Sequence, residues 1–181
     1  MKTIVNGLLR GRITRWGMLA GVLLVVAGVS VAWMPPEHYQ LGGGWIGSGG
    51  GMTWSCLQIP LDPAGRTDAI RVKTTAYDAN TAGLLASFGA NTLSDGVGEG
   101  RMISRDTSKW SMVSYAQVAG NPLQTAAILV YSGTWTFTGP DDAVINYSLT
   151  VYPPSESGLP EADSLLTIAG MTGTVKRVLV P

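Results

Sequence analysis

The sequence predicts an all-β protein, an antiparallel up-and-down β-barrel preceded by one N-terminal apolar helix, on three observations. Alternating or β-branched segments fill the chain beyond Pro36, turn residues punctuate them at short intervals, and no long helical pattern exists to carry parallel crossovers. A β-sandwich would share these features and is the alternative fold.

The first element is residues 17 to 33, GMLAGVLLVVAGVSVAW, an uncharged run that follows Lys2, Arg10, Arg12 and Arg15. A basic leader before an apolar run is the pattern of a secretory signal peptide or an uncleaved signal anchor. At about 17 residues it is shorter than the roughly 20 of a comfortable membrane span. Ser30-Val31-Ala32 supplies small residues for cleavage, while Trp16 and Trp33 suit an interfacial anchor, so both readings stay open. In either case residues 34 to 181 are expected outside the cytoplasm: periplasmic, extracellular, or tethered to the membrane through residues 17 to 33. Trp33-Met34-Pro35-Pro36 ends any helix. The expected organisation is therefore 1–33 signal or anchor, 34–41 linker and 42–181 barrel.

The barrel opens on YQLGGGWIGSGGGMTWSC, residues 39 to 56. A phosphate-binding loop would need Lys-Ser or Lys-Thr after its last glycine and then a helix, whereas Gly51 is followed by the strand-like Met52-Thr53-Trp54. A tether would be poor in residues such as Trp45 and Ile46. A hairpin fits: a strand over Gly43 to Gly47, a turn made by Ser48 to Gly51, and a return from Met52 to Ile59 that puts Trp54 and Cys56 on one face. Residues 66 to 78 then alternate Ile70, Val72, Thr74 and Ala76 with Arg71 and Lys73, which gives one wet face. Residues 81 to 90 could form a short helix weakened by glycines. Three more strands are expected at 109–119, where Trp110 and Met112 alternate with Ser111, Val113 and Tyr115, at 125–139 and at 143–152. A last strand is expected near Gly173 to Leu179.

Composition excludes some functions. Lys and Arg total 12, as do Asp and Glu, and the basic leader takes four of the cations, so the chain after Ala32 is mildly acidic. No basic field exists to hold nucleic acid. Cys56 is the single cysteine, read as a small buried apolar group, and His38 is the single histidine, read as a surface residue. They supply neither a catalytic triad nor a zinc site, so no catalytic residue, metal ligand or cofactor is assigned. Carboxylates gather at Asp95 and Glu99, at Asp141 and Asp142, and at Glu156, Glu161 and Asp163, with no calcium-loop spacing.

Gly43-x-Trp45 at the head of the first strand resembles the Gly-x-Trp signature of lipocalins and the wider calycins. The segments GGGWIGS, PLDPAGR and YSGTWTFTGPDD are similar to those of uncharacterised exported bacterial proteins with lipocalin-like meanders. The resemblance implies that Trp45 closes one end of a barrel and that a basic side chain of the last strand, Lys176 or better Arg177, packs across it. Gly43, Trp45 and Arg177 thus form the expected closure. The lipocalin turn motif after the sixth strand and the disulfides common in secreted lipocalins are absent from the sequence.

Trp54, Trp110 and Trp135 lie in strands, where core filling and the lining of a ligand cavity are both open; Tyr77, Tyr115, Tyr131 and Tyr147 could add polar handles. The expected ligand-binding set is Trp54, Trp110, Trp135, Tyr115 and Tyr131. The expected function is an exported, non-enzymatic barrel that binds a small apolar ligand or serves as an envelope structural or interaction module. The alternative is a small barrel enzyme, a hydrolase or isomerase, acting on an extracytoplasmic substrate.

Overall fold

The computed structural model describes Tyr39 and residues 41–178. The apolar run, its flanking tryptophans and His38 lie outside the described residues.

The strands are β1 (Gly43–Gly49), β2 (Met52–Pro60), β3 (Thr67–Tyr77), β4 (Ala90–Leu93), β5 (Gly96–Met102), β6 (Thr107–Val118), β7 (Asn121–Phe137), β8 (Asp142–Tyr152) and β9 (Leu166–Arg177), with one helix, α1 (Ala79–Ser87), between β3 and β4. Every pairing is antiparallel. β4 and β5 run along the same partner, β6, as one interrupted strand, and β6 pairs with β7, so the sheet closes into an eight-position up-and-down barrel. The last seam joins the ends of the chain: Trp45 lies opposite Arg177, Gly47 opposite Val175 and Gly49 opposite Gly173. Closure removes the free sheet edge that a sandwich would keep.

The alternation read from the sequence sets which side chains point inward. On β2, Trp54, Cys56 and Gln58 are buried between exposed or half-buried Thr53, Ser55 and Leu57. On β8, Ala143, Ile145, Tyr147, Leu149 and Val151 form one buried row. The β1–β2 turn is only Gly50-Gly51, with φ of 57° and 77°, the left-handed pair that a tight hairpin turn needs. β1 therefore runs on through Ser48 and Gly49 before the chain turns.

β5, sequence GVGEGRM, escapes sequence reading because glycines occupy its inward positions 96, 98 and 100. Their missing side chains leave room for neighbours. A Cβ at Gly98 would fall within 2.6 Å of the Met112 backbone, and one at Gly100 would sit 3.1 Å from Ile70 Cδ1.

Tyr39 and Leu41, within the expected linker, pack against the barrel. Leu41 is buried in the core, Tyr39 stacks on Phe137 with ring centroids 5.2 Å apart, and the Tyr39 N–H donates to Arg105 O at 3.0 Å. An apolar residue beside the open end of a barrel is driven inward by the same burial that builds the strands.

Candidate functional site

One barrel end carries Trp45 and Arg177, and the other carries α1. Trp45 has no exposure; its Nε1 donates to Leu41 O at 3.0 Å, and Trp135 and Phe137 meet it edge-on at 5.2 and 5.7 Å. The Arg177 guanidinium carbon lies 4.4 Å from the Trp45 ring centroid, inside cation–π range. Its Nη1 donates to Gly42 O at 2.8 Å and its Nε lies 3.3 Å from an Asp141 oxygen. Gly43 has φ of 127°, and a Cβ there would sit 3.1 Å from that same Nη1, so only glycine suits both the backbone and the stacked cation. Lys176 has the opposite parity and pairs at the surface with Asp142 at 3.5 Å.

Beneath this plug lies a polar group that the sequence reading passed over. Asp68 has no exposure, and neither its oxygens nor Gln58 Oε1 has a hydrogen-bond partner among the described residues. Burial, and secondarily the charge of Asp62, pushes the Asp68 carboxyl up to about 6. The signal was in the alternation, since Asp68 shares parity with the inward Ile70 and Val72.

The middle of the barrel holds a cavity of about 50 Å³, bordered by Trp54, Cys56, Trp110, Met112, Tyr131 and Trp135. Trp54, Trp110, Trp135 and Tyr131 are thus brought together. Trp54 fits because β1 and β9 are thin where it lies: a Cβ at Gly47 would fall 2.7 Å from its Nε1, and one at Gly173 would fall 3.1 Å from its ring. Tyr131 is buried, and that burial keeps its hydroxyl from ionising. Burial also pushes the Cys56 thiol up to about 12, the opposite of what a nucleophilic thiolate needs.

Tyr115 does not line this cavity, which corrects its place in the expected set. It has the parity of Ser111 and Val113, opposite to Trp110, Met112 and Ser114. From the outer face its hydroxyl donates to Gly158 O at 3.2 Å, fastening the β8–β9 loop to the wall. Tyr77, also considered as a polar handle, is exposed and donates to Asn91 O.

The roomier compartment lies at the α1 end. It measures about 270 Å³ and is bordered chiefly by Leu85, Leu129, Leu149, Ile168 and Met171. Met52 and Tyr131 border both spaces, so they lie between an aromatic inner compartment and an aliphatic outer one. α1 covers the outer compartment. Asp78 caps the helix by accepting from Thr81 N at 2.8 Å, and its own N–H donates to Gly51 O, tying the helix start to the β1–β2 turn. Neither compartment is bordered by a Lys, Arg, His, Asp or Glu among the described residues. Their chemistry is apolar contact plus a few hydroxyl and indole groups.

Three of the carboxylates named from the sequence form ion pairs away from both compartments. Asp95 pairs with Arg71 at 2.7 Å, Asp141 with Arg177 and Asp142 with Lys176. Among the described residues no helix is long and apolar enough to cross a membrane.

No protein-family model matches the chain, and no curated protein matches its sequence. Among solved structures it is similar to EF1p2_mFAP2b bound to DFHBI, at 17% identity, over 76% of this chain and 94% of that chain, with a TM-score of 0.44. A likeness at that level assigns this chain neither a family nor a ligand; the barrel rests on its own strand pairing.

Proposed function

We propose that the barrel is a non-enzymatic binder of a small apolar ligand, related to the lipocalins and calycins and working outside the cytoplasm. The observation that carries the binding reading is the outer compartment, about 270 Å³ of aliphatic space at one barrel end, which shares Met52 and Tyr131 with the aromatic interior. That volume lies just below the roughly 300–1,000 Å³ of drug-sized sites, which suits a small occupant. Burying the occupant's apolar surface supplies the driving force, at about 25 cal/mol per Å². The Gly43, Trp45 and Arg177 arrangement favours calycin kinship. The basic leader and apolar run favour export. Against the enzyme reading stand a lining without a general acid or base and a thiol and phenol driven away from ionisation by burial.

The experiment is native mass spectrometry of the purified protein, with and without solvent extraction, followed by titration with an environment-sensitive apolar fluorophore. A retained adduct, or saturable binding that Leu149→Trp abolishes with the fold intact, supports the reading. An unaltered mass and no saturable binding would leave a filled structural or interaction module. Protease added to intact spheroplasts checks the export component, with full protection counting against it.

A further inference from the structure

Two buried indole donors distinguish the inner compartment from a plain apolar pocket. Trp110 and Trp135 both border it, and both are more than nine-tenths buried. Neither Nε1 has a hydrogen-bond partner among the described residues. They lie on paired strands, with Trp110 opposite Gly133 and Trp135 two residues farther along β7, so they are diagonal neighbours on the inner face. At such positions Cβ atoms lie about 7–8 Å apart, within reach for side chains as large as indole.

Buried donors are costly to leave unmatched, and indole N–H can only donate. The Ser94 hydroxyl, which also borders the compartment, donates to Asp95 O. Among the residues that border the compartment, the two indole Nε1 atoms are the buried donors without a partner.

Building on the apolar-ligand reading, we infer that the ligand carries an uncharged hydrogen-bond acceptor, a carbonyl or ether oxygen, which enters first and meets Trp110 and Trp135 while its apolar body fills the outer compartment. The volumes agree: about 50 Å³ accommodates an acceptor group, and about 270 Å³ a small ring or branched chain. Charge selects against an anion. No cation borders either compartment, and the strand register aligns Trp110, Gly100 and Asp68 in one row, which brings a carboxyl to the inner end. A carboxylate or phenolate head would lose its hydration without gaining a counter-charge.

The test uses an isosteric pair, acetophenone and α-methylstyrene, which differ by C=O against C=CH2, titrated calorimetrically into the full chain. Acetophenone should bind roughly tenfold tighter, the worth of about one net hydrogen bond. Trp110→Phe or Trp135→Phe should reduce that preference toward parity. The unsubstituted protein gives a second readout that needs no variant: on acetophenone binding, one or two indole N–H proton resonances should move downfield, and α-methylstyrene should leave them in place. Equal affinities, or indole resonances that respond alike to both, would overturn the acceptor inference and leave apolar binding standing. If neither molecule binds at millimolar concentration and the fluorophore also fails, the apolar-ligand reading falls with it. Benzoate binding as tightly as acetophenone would overturn the preference for an uncharged head.

Discussion

At the Arg177 end the barrel is shut by interlocked rings and a guanidinium that hydrogen-bonds the backbone; at the α1 end it is covered by a nine-residue helix whose one buried residue is Leu85. Each group in the first closure constrains another. Trp45 is held by Leu41 O, Trp135 and Phe137, and Arg177 is held by Gly42 O, Asp141 and the Trp45 face. The helix is held by its Asp78 cap and an aliphatic underside with space beneath it. Aromatic packing with directional bonds leaves few alternative arrangements, whereas aliphatic contact around a gap leaves many. One end thus fixes the registry of the first and last strands, and the other leaves space beneath a helix.

The strongest challenge to this contrast is removal of the plug. Trp45→Ala should cost about 3–5 kcal/mol in denaturant unfolding, because a fully buried indole leaves both a lost transfer energy and a cavity. A loss below about 1 kcal/mol would mean that the two ends are equally soft.

Next comes pH, acting on Asp68 behind the plug. Its folded-state carboxyl titrates near 6, above its ordinary value of 3.8, because burial penalises the charge. The neutral form is favoured in the fold, so this contribution is whole below about pH 4 and is lost as pH rises through 6, on the order of 2 kcal/mol. Carboxyls held low, such as Asp78 with its Thr81 N–H, act in the opposite direction but only in more acidic solution. The urea midpoint should therefore fall between pH 4.5 and 7, and Asp68→Asn should flatten that slope. A midpoint that rises across this window would contradict the burial of an unpaired acid.

Arg177→Ala removes the stacked cation while keeping the indole. The side chain is about one-fifth exposed, so loss of the Gly42 hydrogen bond and the cation–π contact should cost about 1–2 kcal/mol. Hydrogen exchange should quicken at Gly43 to Gly47 before it changes in α1. Uniform quickening would erase the distinction between the ends.

The smallest effect sharpens the other side. Gly83 lies inside α1 with nothing within 4 Å of a Cβ and no left-handed backbone, so Gly83→Ala should stabilise the helix by about 0.5–1 kcal/mol. If α1 governs passage, ligand association and dissociation should both slow with little change in affinity. Unchanged rates would place the route elsewhere.

Alternation by itself determined most of the strands and which face of each is wet, because a side-chain period of two is a property of the extended backbone. The same alternation places two more residues: Tyr115 counts with Ser111 and Val113 on the outer face, and Asp68 counts with Ile70 and Val72 on the inner one. β5 was hidden because Gly96, Gly98 and Gly100 carry no apolar atoms to alternate, yet those gaps are what admit Met112 and Ile70 from neighbouring strands. Only the tertiary structure decided where space remains. Strand stagger sets which rows meet across the interior, so the aromatics crowd a cavity of about 50 Å³ while the larger space of about 270 Å³ falls among leucines, an isoleucine and methionines under α1. Parity tells a residue which way to face; the volume left over depends on all the residues it faces, and those come from strands far apart in the chain.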